Sequence, residues 1–92
     1  MITPENLVRH ELIGLKIKIV EDSDKKLAGL AGKVIDETRN MLVIETAAGK
    51  EISVAKETGV FSFFVASVWV RVDGRIIVGR PEDRIKKKLR TW

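Results

Sequence analysis

The stretch from Gly32 to Ala55, GKVIDETRNMLVIETAAGKEISVA, decides the fold. Its apolar residues Val34, Ile35, Leu42, Ile44, Ile52 and Val54 are interrupted by two polar groups, Asp36-Glu37-Thr38-Arg39-Asn40 and Ala47-Ala48-Gly49-Lys50. Successive side chains of a strand point to opposite faces. Leu42 and Ile44 therefore share one face while Val43 and Glu45 share the other, and Ile52 and Val54 alternate in the same way with Glu51 and Ser53. Such alternation marks a sheet with one dry face and one wet face. Short antiparallel strands joined by two turns are predicted, and the rest of the chain must pack on this meander or extend it.

Upstream, Thr3-Pro4-Glu5 reads as a helix start: a capping hydroxyl, a proline suited to the first turn, and an acid at the positive end of the dipole. Leu7, Val8 and Leu12 share a helix face, and Gly14 ends the segment. So short a helix is marginal alone and must lean on its own sheet or on a partner protein. Leu15 to Glu21 alternates as a strand, with Leu15, Ile17 and Ile19 facing one way and Lys16 and Lys18 the other. The following Asp22-Ser23-Asp24-Lys25-Lys26 is a polar turn; it lacks the further ligands and the glycine of a calcium loop, so no metal is assigned. Leu27 to Ala31 returns the chain, and Gly29 and Gly32 suggest a bend or bulge at a barrel corner.

Downstream, Lys56-Glu57-Thr58-Gly59 is a turn, and Val60 to Val65 is a strand with Phe61, Phe63 and Val65 on one face. Aromatic residues in such a run can stack on unpaired bases. Here branched residues flank the phenylalanines and no basic residue interleaves them, which favours core. Val68, Val70 and Val72 form the next strand, with Trp69 and Arg71 opposite; Asp73-Gly74 signals a hairpin and Arg75 to Val78 a paired return. Pro81, Glu82 and Asp83 open a C-terminal helix whose apolar stripe is Ile85, Leu89 and Trp92. About six short strands with helices only at the ends predict an all-β fold, a small twisted antiparallel barrel. It forms a single domain over residues 1–92: a helical extension at 1–13, a barrel at 14–79 and a basic helix at 80–92.

The composition narrows the function. A hydrophobic share of 45% with a charged share of 33% is that of a folded globular chain, not a disordered one. No apolar run reaches the ~20 residues of a membrane-spanning helix. The N-terminus lacks the order of a signal peptide, and a chain with no cysteine has neither disulfides nor thiolate metal ligands. A cytoplasmic location is expected. No nucleophile elbow, phosphate-binding glycine loop or metal-ligand set is present, and His10 has no Cys or Asp placed to make a nucleophilic pair. Neither catalysis nor a cofactor is expected.

Binding is suggested instead by the cations. Residues 80–92 hold six basic groups against two acidic ones, a surplus equal to the whole formal net charge of +4. Lys16, Lys18, Lys25, Lys26, Lys33, Arg39, Lys50, Arg71 and Arg75 decorate strand faces and turns, and Arg80, Arg84, Lys86, Lys87, Lys88 and Arg90 crowd the tail. Lysine and arginine neutralise phosphates and release counterions, which gives affinity with little sequence readout. The bland alternative is a solvated charged surface.

Two passages carry a resemblance. Gly14-Leu15-Lys16-Ile17 with Gly32-Lys33-Val34-Ile35-Asp36-Glu37-Thr38-Arg39-Asn40-Met41-Leu42, and Gly79-Arg80-Pro81-Glu82-Asp83-Arg84-Ile85-Lys86-Lys87, resemble the ribonuclease P protein component 1 family, the Sm-like subunit of archaeal and eukaryotic ribonuclease P. The resemblance covers residues 7–90. It implies a Sm-like barrel with helical extensions, and a non-catalytic subunit beside an RNA that removes the 5′ leader of precursor tRNA. It also implies contact with the ribonuclease P RNA and pairing with a zinc-ribbon protein subunit. By carry-over, Leu7, Val8, Leu12, Ile85 and Leu89 are the expected partner face. From the charge pattern, the cations named above, Lys50 apart, are the expected RNA contacts. Competing readings are a homo-oligomeric Sm-like ring on single-stranded RNA and an SH3-like protein adaptor.

Overall fold

The meander is present as β2 (Ala31–Glu37), β3 (Met41–Thr46) and β4 (Glu51–Ala55) in the computed structural model, which describes residue 7 and residues 10–80. β1 (Lys16–Asp22) precedes it, and β5 (Gly59–Val65), β6 (Val68–Asp73) and a 3-10 helix (Gly74–Ile77) follow. The strands form one six-stranded antiparallel sheet in the order β4-β3-β2-β1-β5-β6. The all-β barrel-like expectation therefore holds. Of the expected terminal helices, Val8, Ile85 and Leu89 lie outside the described residues, and residues 10–13, expected to continue the first helix, are not helical.

One face of the sheet makes the core. Ile17 and Ile19 of β1, Val34 of β2, Leu42 and Ile44 of β3, Val54 of β4, Phe61, Phe63 and Val65 of β5 and Val72 of β6 are all buried. Ile77 closes it from the 3-10 helix, and Leu7 and Leu12 from the N-terminal side. Every strand contributes alternate residues, as the period-two pattern requires. Fully burying side chains of this size is worth about 1.5–3 kcal/mol each, set against the entropy of ordering the chain.

Two bulges bend the sheet. In β1 the register shifts between Ile19 and Glu21, and in β2 between Val34 and Asp36. The second has a consequence for side-chain direction. Val34 opposes Ile44 and Glu37 opposes Leu42, so two residues of β2 are accommodated where β3 advances by one. Without that extra residue Asp36 would face inward; with it Glu37 does, and Asp36 stays exposed.

The return at Leu27 to Ala31 is a turn up to Leu30, and β2 begins at Ala31, between the two glycines expected to flank the strand entry. The carboxylates of Asp22 and Asp24 accept the N–H groups of Asp24 and Lys26, which tightens the chain before it can extend. Of the bend or bulge expected at Gly29 and Gly32, the bend is found at Gly29, which takes a φ of 90° in the turn, while the β2 bulge lies at Ile35. Arg75 to Val78 does not pair back as a strand. Asp73 accepts the Arg75 N–H at 3.0 Å and caps a 3-10 turn, and Gly74 sits so close to the Lys56 carbonyl that a Cβ would collide with backbone.

Candidate nucleic-acid interface

The outer face of the sheet follows from the same alternation. Lys16 and Lys18 lie on the exposed side of β1, Ser62 and Phe64 on that side of β5, and Trp69 and Arg71 on that side of β6. Strand pairing then sets neighbours: Lys18 opposes Ser62, Ser62 opposes Arg71, and Phe64 opposes Trp69. The Phe64 and Trp69 rings pack at 5.2 Å with a 54° tilt. The Lys18 ammonium stands 4.4 Å from the Trp69 ring centre and that of Lys16 5.7 Å from the Phe64 ring. These are cation–π distances. Lys16 directly opposes Lys33 on β2. Like charges placed opposite one another are mildly destabilising, though Lys33 also opposes Glu45 on β3, which offsets part of that repulsion. None of the ion pairs among the described residues takes Lys16, Lys18 or Lys33.

The remaining cations are dispersed. Lys25 and Lys26 are exposed in the β1–β2 turn. Arg71 is paired with Glu21 at 2.7 Å and Arg75 with Asp73 at 2.7 Å, both on the surface. The Arg75 hydrogen bonds hold the Asp73 carboxyl down at about 2. A phosphate would have to displace a carboxylate at either arginine. Arg39 and Arg80 are exposed at one end of the barrel, where the Gly79 N–H donates to the Arg39 carbonyl at 2.7 Å. Arg84, Lys86, Lys87, Lys88 and Arg90 lie outside the described residues. Leu7 and Leu12, expected on a partner face, are instead buried in this chain's own core. Their side chains are used to cover the sheet, the other outcome open to a short apolar segment.

A buried ion pair stands at the same end as Arg39. Lys56 Nζ donates to Glu37 Oε2 at 2.7 Å, and both side chains are wholly excluded from solvent. The ammonium also donates to the carbonyls of Thr38 at 2.7 Å, Gly79 at 2.8 Å and Arg39 at 3.3 Å, while the Leu12 N–H donates to Glu37 Oε1 at 3.3 Å. Lys56 follows the edge strand β4, and Gly79 lies just past the 3-10 helix that follows β6, the other edge. Through the Gly79 carbonyl the ammonium therefore links the end of β4 to the chain beyond β6, where no strand ladder does. Sequence reasoning placed both residues in turns. The signal available was small: a lysine just past a strand end and a pair of adjacent acids.

Sequence reasoning did not bring Phe64 and Trp69 beside Lys16 and Lys18, because these basic groups come from β1, distant in the chain. No group of three or more His, Cys, Asp or Glu able to hold a metal occurs among the described residues, and no helix among them is long and apolar enough to cross a membrane. The geometry is that of a rigid platform presenting cations and two rings.

The family model for ribonuclease P/MRP, subunit p29, matches residues 5–87. Ribonuclease P protein component 1 of Methanocaldococcus jannaschii is 54% identical over 90 residues, covering 98% of this chain and 95% of the relative. The protein of the same name from Methanothermobacter thermautotrophicus is 50% identical over 91 residues, covering 98% of each chain. Among solved structures, Mth11, described as a homologue of human RNase P protein Rpp29, superposes with a TM-score of 0.59 at 47% identity, covering 83% of this chain and 99% of that one. The chain belongs to the ribonuclease P/MRP subunit p29 family and is a protein component of ribonuclease P.

Proposed function

We propose that this subunit binds the ribonuclease P RNA and assists it in removing the 5′ leader from precursor tRNA, itself contributing no catalytic group. The observation that carries this reading is the row Lys16, Lys18 and Lys33 on one outer face, with Lys16 and Lys33 directly opposed and held in register by the β1–β2 ladder. Cations so placed fit a polyanion: each phosphate bound releases counterions and relieves the repulsion between neighbours. The basic residues Arg80, Arg84, Lys86, Lys87, Lys88 and Arg90 extend the same electrostatic attraction from the C-terminal side, and Lys25, Lys26, Arg39, Arg71 and Arg75 supply further contacts around the rim. The division into an N-terminal extension, a barrel at 14–79 and a basic tail at 80–92 fits this role, with the extensions meeting a zinc-ribbon protein subunit through Val8, Ile85 and Leu89.

The test is co-purification. Tagged protein is recovered from its cells, and the associated RNA is assayed on precursor tRNA with magnesium. Recovery of an RNA that releases the 5′ leader is expected. Recovery of the protein free of RNA, or with RNA inert on precursor tRNA, would overturn the reading.

A further inference from the structure

We propose that the outer face of β1, β5 and β6 receives one unpaired base of an RNA strand, stacked on the Trp69 indole, with the Lys16 and Lys18 ammonium groups on the adjoining phosphates. This inference rests on the RNA-binding reading above and names the kind of RNA element that reaches this face.

Trp69 is 44% exposed, although it is the largest side chain on the outer face and a chain of this size has every reason to bury one. Beside it on β5, its cross-strand partner Phe64 packs at 5.2 Å with the rings tilted by 54°, which steadies the indole on the sheet. A ring steadied by a neighbour and half-exposed, covered only by a flexible lysine, is what a stacked base needs. The hairpin that presents both rings is itself strained: Ala66 and Ser67 adopt φ of 50° and 68°, which L-residues with side chains rarely do. The fold retains that strain beside the aromatic pair.

The charges select the ligand. An apolar peptide would gain nothing from Lys16, Lys18 and Lys33 around its docking point. A duplex would use the lysines but present no base face to Trp69, because its bases are stacked inside. An unpaired nucleotide uses both features. In the free protein the Lys18 ammonium lies over the indole at 4.4 Å. A base has a π-face of its own and can take that place, leaving the flexible lysine to swing onto the phosphate beside it. On the β2 side a groove of about 430 Å³, lined by Lys16, Lys33, Gly32 and Glu45 among others, leaves room for the next sugar and phosphate. From Trp69 on β6 to Lys33 on β2 is three strand spacings, about 14 Å, so the strand would run across the sheet.

The test uses intrinsic fluorescence. The chain has two tryptophans, Trp69 and Trp92, so the full-length Trp92→Phe variant reports Trp69 alone. An adenosine oligoribonucleotide of about eight residues, within the site size of small single-strand binders, should quench its emission saturably. A duplex of the same length should quench it far less. Trp69→Ala should weaken binding of the oligonucleotide about 5- to 100-fold, the loss typical of one stacked base, while Trp69→Phe keeps most of it. Equal quenching by duplex, or no quenching by the single strand, overturns the proposal. Filter binding of the same protein to the intact ribonuclease P RNA separates the two readings. Retained binding there without any quenching sinks only the stacking site, whereas loss of both sinks the RNA-binding function beneath it.

Discussion

Lys56 and Glu37, nineteen residues apart, meet at 2.7 Å with no solvent access to either side chain. One lies just past the edge strand β4; the other is turned inward by the bulge at Ile35. Because the ammonium also holds the Gly79 carbonyl, this contact ties the meander to the chain leaving β6. The barrel is closed here by a charge and its hydrogen bonds.

Lys56→Met should accordingly cost about 3–5 kcal/mol, since it leaves the Glu37 carboxylate buried without its ammonium. Glu37→Gln keeps an acceptor for the Leu12 N–H and should cost less. Urea unfolding measures both. A Lys56→Met protein as stable as the parent would show that the pair does not hold the barrel shut. If that variant fails to fold, the Glu37→Gln midpoint carries the test.

Gly32 and Gly74 are needed for space. A Cβ on Gly32 would meet the Glu45 carbonyl, with the Ile44 Cγ2 methyl at 2.8 Å, and one on Gly74 would meet the Lys56 carbonyl. Backbone cannot give way as a side chain can. Each Gly→Ala change should destabilise by roughly 1–3 kcal/mol, the range of core overpacking, seen as a lowered melting temperature. Gly49 has nothing within 4 Å but a φ of 81°, so Gly49→Ala should cost only its left-handed strain, about 1–2 kcal/mol.

The Ala66-Ser67 turn offers a gain. Replacing it with Asn-Gly, the pair that best tolerates two positive φ values, should stabilise the β5–β6 hairpin by about 1 kcal/mol. Thermal unfolding checks this. An unchanged or lowered midpoint would mean that the native turn carries no strain.

Asp73 gives a pH signature. Its hydrogen bonds to Arg75 hold its carboxyl at about 2, below the ordinary carboxylate value. A lowered folded value means that the pair's contribution is present above about pH 4 and disappears as the pH falls toward 2. NMR titration should place the Asp73 midpoint near 2, and Arg75→Ala should return it toward the ordinary carboxylate range. The pair is exposed, so global stability should hardly register its loss.

Replacing Lys86, Lys87 and Lys88 together with alanine should weaken RNA binding and flatten its salt dependence. For every phosphate no longer neutralised, the slope of log K against log salt falls by roughly 0.7–0.9. Binding isotherms at several salt concentrations read the slope directly. An unaltered slope would exclude these residues as phosphate ligands.

The alternation in residues 32–55 and the Phe61, Phe63 and Val65 series determined, without any coordinates, an antiparallel sheet with one buried face. Period-two patterning is local: each strand carries its own record of which side is dry. The family signature likewise lies within two contiguous passages. Tertiary structure alone decided the rest. Glu37 faces inward only because one bulged residue in β2 reverses the parity of the strand end, and Lys56 is buried only because Glu37 and three carbonyls converge on it. Lys16 and Lys18 reach Phe64 and Trp69 across the β1–β5 ladder, a pairing between segments distant in the chain. Periodicity assigns a residue to a face; only strand order and register say which residues share it.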